Sequence, residues 1–362
     1  MNSNVDVLIK NEKLGKDLRE LILENEIYIS EDLDLREYIL PKDKTFFIKL
    51  KRYEYIKLFL PKIDMNSYEF DGVDISNVVF SKDTILPLDE KFFENTPSGL
   101  VNSVMPVGDY SIYSFKNVNI NFCDFKNATK FSKNFFKECT SNEKAEFSSL
   151  DFNDYDLEGA NFAKVIFEGD CVLPRDRDFL QKIKDKSLEL TKLPRGDYRK
   201  YHFNGVYLRG TSFTEDSVFS DNPDVFVSLK NKDIQDTVLP KGNYFSYVFK
   251  GVITNGVSFT RDSILPEYDD FIMDIYKSNV YYDSTTCLDE KTFRFTDNVV
   301  KRLHFYNLSL MTIDLTPYAD LLTEKQLSVI RARNRDIDSK RIIFPKLASE
   351  ERLSSDFFEI EM

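Results

Sequence analysis

From Phe70 onward, large apolar residues return at every fifth position, in stretches of about twenty residues. Phe70, Ile75, Phe80 and Ile85 set the grid. It recurs as Phe115, Ile120 and Phe125, then as Phe152, Leu157, Phe162, Phe167 and Val172, then as Phe203, Leu208, Phe213 and Val218, and again from Phe249 through Thr254 and Phe259 to Ile264. With the broken step at Lys130 counted, nineteen of these twenty-one positions are apolar, against ~9 expected for a chain that is 42% hydrophobic. A weaker sixth stretch uses Phe305, Leu310 and Leu315. An α-helix repeats its apolar stripe every ~3.6 residues and a strand every 2, so a five-residue beat requires a chain that turns once per repeat. Two positions after the large residue there is often Gly or Asn, as at Gly72, Asn77, Asn117, Asn127, Gly159, Gly169, Gly205, Gly210, Gly251 and Gly256. These residues tolerate the positive φ of tight turns. Short segments between such turns can stack coil on coil, with main-chain hydrogen bonds between coils ~4.8 Å apart and the large side chains inside.

A partner slot lies two before the large residue and mostly holds a smaller one: Val73 and Val78, Val118 and Cys123, Ala160 and Val165, Val206 and Thr211, with Tyr155 as a bulky exception. Ala160-Asn161-Phe162-Ala163-Lys164 carries the complete pattern, and Val73-Asp74-Ile75, Val118-Asn119-Ile120 and Cys123-Asp124-Phe125 carry it with a bulkier first residue. On these residues the chain resembles the pentapeptide-repeat family, in interrupted and divergent form. The resemblance implies a mainly β protein, a right-handed four-sided β-helix or solenoid in which about four pentapeptides complete one coil.

A second beat is Leu-Pro. Leu40-Pro41 and Leu60-Pro61, Leu86-Pro87 and Met105-Pro106, and Leu173-Pro174 and Leu193-Pro194 bracket segments of about twenty residues, with Leu239-Pro240 and Leu265-Pro266 in later units. Proline stops a strand and suits a helix's first turn, and acids follow it at Asp89, Asp176 and Asp269. The expected unit is therefore about 46 residues, one β-coil followed by a short helical excursion. Pro174–Leu193 reads as the most helical bracket and Pro41–Leu60 as strand. Leu14, Leu18, Leu21, Ile22 and Leu23 predict an amphipathic helix over 11–26 that caps the first coil. Thr323-Glu324-Lys325-Gln326 has the form of a capping box leading into a C-terminal helix. The expected organisation is an N-terminal cap over 1–60, the solenoid over 61–320, and a capping helix with an acidic tail over 321–362.

Chemistry-bearing residues are sparse. Cys123, Cys139, Cys171 and Cys287 are far apart and the only histidines are His202 and His304, so no zinc spacing forms. Asp83, Asp170, Asp216 and Asp262 recur in one slot. Stacked carboxylates there could hold calcium, but capping of the turn by each Asp is the favoured reading. Cys123 falls in an inward slot and is read as core. No nucleophile elbow, phosphate loop or carboxylate pair accompanies the histidines. These readings argue against a cofactor and a metal and favour a non-enzymatic chain. Neither a long apolar segment nor an apolar leader occurs, which predicts a soluble cytoplasmic protein.

The net charge is −12, which argues against a protein that coats nucleic acid directly. Residues 141–170 carry eight acids against Lys144 and Lys164, while the bracket after Pro174 is basic. Two readings stand: an acidic face for a basic partner, or neighbouring charges that satisfy each other. The function expected is protein binding. By resemblance, some acidic pentapeptide-repeat proteins imitate DNA in shape and charge, which implies an inhibitor of a DNA- or RNA-binding enzyme, with Asp151, Asp154, Asp156 and Glu158 as partner-binding residues. The alternatives are a scaffold or effector that binds through its helical edge, also compatible with homodimerisation, and an enzyme centred on His304 with Arg331, Arg333, Arg335 and Arg341.

Overall fold

A computed structural model describes residues 14–53, 55–254, 257–259, 263, 313–316, 320, 322–333 and 342–343. It divides into two compact units, Met1–Pro194 and Arg195–Met362, a boundary inside the segment expected as one solenoid. Both are mainly β, built from short parallel strands stacked as a β-solenoid. In the first unit Leu33–Asp34 pairs with Leu58–Phe59 and that strand with Val78–Val79; single bridges run from Val79 to Val104 and on to Asp124; Asp124–Phe125 pairs with Glu146–Phe147, Glu146–Ser148 with Ile166–Glu168, and Ile166 bridges Lys192. In the second unit Ser212 bridges Val238, and Val238–Leu239 pairs with Ser258–Phe259.

These registers correct the expected unit. Partners along the ladder are 20 to 26 residues apart, as from Leu58 to Val78 and from Ile166 to Lys192, so 46 residues make two coils, a short one and a long one. The Leu-Pro brackets are coils in their own right. What they carry as helix is a single turn, at Phe46–Lys49, Phe179–Lys182 and Val225–Ser228, with a further one at Phe135–Glu138. Each inserts two adjacent apolar side chains, such as Phe46 and Phe47, into the core. The local cause is an acid or amide two or three residues before the helix: the Oδ1 atoms of Asp43, Asp176 and Asn222 accept hydrogen bonds at 3.0 Å from the main-chain N–H of Thr45, Asp178 and Asp224. The bracket read as strand thus starts with a helical turn, and the one read as most helical holds only Phe179–Lys182 and a 3-10 turn at Lys184–Lys186. No helix forms over 14–26. Leu18, Leu21 and Leu23 are buried in a coil whose Asp17 bridges Ile39, and Ile27–Ile29 pairs with Leu50–Arg52, so the ladder is already running where a cap was expected.

The five-residue beat has a direct cause in hydrogen bonding. Within the stretches the carbonyl of the large grid residue accepts from the N–H three residues on, which is the partner slot: Val118 to Phe115, Cys123 to Ile120, Ala160 to Leu157, Val206 to Phe203, Val252 to Phe249. Between them the third residue of the turn has positive φ, as Gly205 (70°) and Asn117 (63°) do, which a type II turn requires. Phe122 and Leu190 hold the same conformation without being Gly or Asn. The grid slips at the ends of three stretches: Ile85, Val172 and Val218 are exposed, and the residue before each, Thr84, Cys171 and Ser217, is buried instead. The displaced residues pair outward, bridging Asp64, Asp151 and Asp197.

Phenylalanines and tyrosines fill the coils. In the first unit rings touch in an unbroken series from Phe47 to Phe70 (4.9 Å between centroids), Phe92, Phe93, Phe115, Phe135, Phe147 and Phe167. In the second, Tyr198, Phe213, Phe219, Phe226 and Phe249 form a like series. Burial of each such ring stabilises by about 2–3 kcal/mol and each favourable pair adds about 0.5–1.5. Two buried hydroxyls are tied to carbonyls of the preceding coil: Thr191 to Phe162 (2.6 Å) and Thr237 to Leu208 (2.8 Å).

Proline interrupts one side of this ladder. Bridges there join Asp17 to Ile39, Asp64 to Ile85 and Asp151 to Val172, so coils pair two by two. Side chains replace the missing N–H. Tyr68 donates to the Pro41 carbonyl (3.0 Å) and Tyr113 to that of Pro87 (2.8 Å). Asn153 spans Pro174, its Oδ1 accepting from Arg175 N–H at 2.8 Å, and Asn66 does the same for Leu88 at 3.2 Å.

Candidate functional site

The four acids singled out from sequence lie on one coil. Phe152, Tyr155 and Leu157 point inward and are buried, which turns Asp151, Asp154, Asp156 and Glu158 outward. The four differ in what they can offer. Asp151 begins a 3-10 turn, Phe152–Asp154, and accepts from the main-chain N–H (2.9 Å) and Nδ2 (2.7 Å) of Asn153, which holds its carboxyl below the usual range. Asp156 is ion-paired with Lys137 and accepts from Glu158 N–H at 3.1 Å; the lysine lowers its pKa most. Asp154 and Glu158 are exposed. Burial raises the neighbouring Tyr155 hydroxyl to about 12. Beside them a groove of about 350 Å³ runs past Lys133, Asn153, Asp156, Glu158, Pro174 and Lys182.

The surrounding acids are matched by lysines of other coils. Glu143 lies 3.5 Å from Lys164, Glu146 lies 2.5 Å from Lys126, and Glu168 reaches both Lys126 (3.2 Å) and Lys192 (2.9 Å). Double pairing raises the Lys126 pKa and lowers that of Glu168. The linear count of charge over 141–170 includes Lys164 but misses Lys126 and Lys192, which stand about one coil away along the chain. Lys192 belongs to the basic bracket, so the two oppositely charged segments do meet.

Other candidates separate. Of the recurrent acids, Asp83, Asp170 and Asp216 are exposed, and turn capping falls instead to the Asp or Asn before the inward residue, as at Asp74 (2.9 Å to Ser76 N–H) and Asp124 (2.8 Å to Lys126 N–H). Among the described residues no three His, Cys, Asp or Glu side chains gather as a metal site. Burial pushes the Cys123 thiol up, in keeping with a core role. His202 is exposed. The capping box forms: Thr323 Oγ1 accepts from Gln326 N–H (3.3 Å), Gln326 Oε1 accepts from Thr323 N–H (2.9 Å), and the helix Glu324–Arg333 follows with Leu327 and Ile330 buried. Asp262, Cys287, His304, Arg335, Arg341 and the acidic tail lie outside the described residues. No helix among the described residues is long and apolar enough to cross a membrane.

Sequence reasoning did not find the Asn and Tyr side chains that span the prolines. Their signal is legible in retrospect: Tyr68 and Tyr113 follow an Asp by four residues in Asp64-Met-Asn-Ser-Tyr68 and Asp109-Tyr-Ser-Ile-Tyr113. No protein-family model, curated protein or solved structure matches the chain.

Proposed function

We propose that the chain is a non-enzymatic protein-binding solenoid that engages its partner as a preformed surface. The observation that carries this is the fully packed interior beneath outward-facing residues held in register by the ladder: such a surface loses little conformational entropy on association. The interrupted pentapeptide pattern is compatible with it. Scaffold-type binding is better supported than imitation of DNA, because Glu143, Glu146, Asp156 and Glu168 are paired with lysines and so offer less free negative charge to a basic partner. The test is capture of partners from the native host by the wild-type chain and by Asp154→Asn/Asp156→Asn/Glu158→Gln. Scaffold binding predicts the same partners from both and a modest salt dependence. Loss of a nucleic-acid-handling enzyme with the amide variant restores the DNA-mimic reading, and absence of any stoichiometric partner refutes both.

A further inference from the structure

The groove beside Pro41 and Pro61 differs in charge from the one beside Pro174. The ladder on this side joins Asp17 to Ile39 and Asp64 to Ile85, and among the described residues it skips the step between. Proline offers no N–H to close that step, and the Tyr68 hydroxyl on the Pro41 carbonyl spans it below. The result is an open groove of about 700 Å³, twice the volume of the second. Its walls carry Arg19, Lys42, Lys44 and Lys62 against one acid, Asp64. The Asp64 carboxylate is turned onto Asn66, accepting from its N–H at 3.0 Å and its Nδ2 at 2.9 Å. Arg19 is paired with Asp17 and Lys42 with Glu20, but these pairs are exposed and exchangeable, whereas Lys44 and Lys62 are exposed and have no carboxylate partner among the described residues. In a chain of net charge −12, a groove lined by four cations is a local reversal of sign.

We propose that this groove binds an extended acidic peptide segment of a partner protein. An extended strand suits it because the groove crosses successive coils and presents its cations one coil after another, at Arg19, then Lys42 and Lys44, then Lys62. The inference rests on the protein-binding reading and specifies one surface for it.

The experiment is fluorescence anisotropy of the full chain with a labelled Glu-rich peptide, its Gln counterpart, and a small inorganic polyphosphate as competitor. The Glu peptide should bind with an affinity that falls as salt rises, the Gln peptide should not, and Lys44→Glu/Lys62→Glu should weaken binding at least about tenfold while Lys184→Glu, on an exposed lysine many coils away, leaves it unchanged. Both lysines are exposed, and Lys44→Gln/Lys62→Gln with an intermediate loss and unaltered circular dichroism separates charge from misfolding. Indifference of Glu-peptide binding to the double reversal overturns the proposal. So does polyphosphate binding without peptide binding, or self-association of the chain that the reversal abolishes. If partners are still captured from the host by the reversed variant, the groove inference fails and the protein-binding reading stands.

Discussion

Gly72 and Gly99 share the same left-handed backbone, with φ of 67°, yet their surroundings differ completely. A Cβ added at Gly72 meets nothing within 4 Å; one added at Gly99 lands 2.4 Å from the carbonyl oxygen of Asn119 and 2.9 Å from its nitrogen, on the neighbouring coil. Ala at Gly72 therefore measures backbone strain alone. That strain is about 1–2 kcal/mol for an L-residue, less about 0.4–1 returned by the stiffer unfolded chain, a net loss of about 1 kcal/mol. At Gly99 the same strain is joined by a clash with main chain that no rotamer relieves. To make room, the coils must part where Leu100 N–H donates to Asn119 O at 2.7 Å, with loss of a buried main-chain hydrogen bond and of ring packing on either side. The expected total is about 3–5 kcal/mol. Both glycines lie in the first unit, so urea unfolding followed by circular dichroism, the chain having no Trp, compares them within one transition. If Gly99→Ala destabilises no more than Gly72→Ala, the coils are not stacked as described.

Thr84 Oγ1 is buried without a hydrogen-bond partner, so Thr84→Val should raise stability by about 1 kcal/mol, while Thr191→Val, which breaks the bond to Phe162, should lower it by about 1–2; urea midpoints decide. Asn153→Ala removes the acceptor for Arg175 N–H and should speed amide exchange there with a loss of about 1 kcal/mol, read by hydrogen-exchange mass spectrometry. Hydrogen bonds from Arg19 lower the Asp17 carboxyl to about 2; its stabilising effect is present above the ordinary carboxylate range and is lost as pH falls through 2, and Arg19→Gln should return the carboxyl toward ~3.9 in a side-chain NMR titration.

The coil was legible because Phe115, Ile120 and Leu157 each begin a turn that closes on the residue three positions later, and five-residue spacing follows from that bond. The length of the repeat was not. Long coils close differently, with an Asp-led helical turn that inserts Phe46 and Phe47 or Phe179 and Leu180, and with hydroxyls such as Thr191 in the inward slot. A search for one large residue in five sees the short coils and takes the long ones for interruptions. Leu14, Leu18 and Leu21 satisfied helical spacing for a related reason: i, i+4 and i+3 also fit a coil that turns between Leu18 and Leu21, where Leu21 N–H donates to Leu18 O.

The acidic segment fails as a linear motif for a geometric reason that applies to every surface of this fold. In a solenoid the outward neighbour of a residue is one coil away, so Asp156 answers to Lys137, Glu146 to Lys126 and Glu143 to Lys164, partners 19 to 21 positions distant. Charge summed along the chain adds residues on opposite faces and omits those that touch. Summed across coils, the acids of residues 141–170 gain Lys126, Lys137 and Lys192 as partners and their excess shrinks, while the lining of the groove beside Pro41 and Pro61 is positive. Proline both creates that groove, by denying the ladder an N–H, and leaves Lys44 and Lys62 facing solvent instead of an adjoining carboxylate. The same reasoning makes the second groove a built-in comparison: it shares the proline corner and the Asn on its wall, but pairs Lys182 with Asp176 at 2.6 Å and faces Asp156 and Glu158. An acidic peptide that binds the first groove should avoid the second, and charge reversal of Asp156 and Glu158 to Lys should create a second class of sites in the same anisotropy titration; one unchanged class of sites would show that lining charge does not select the ligand.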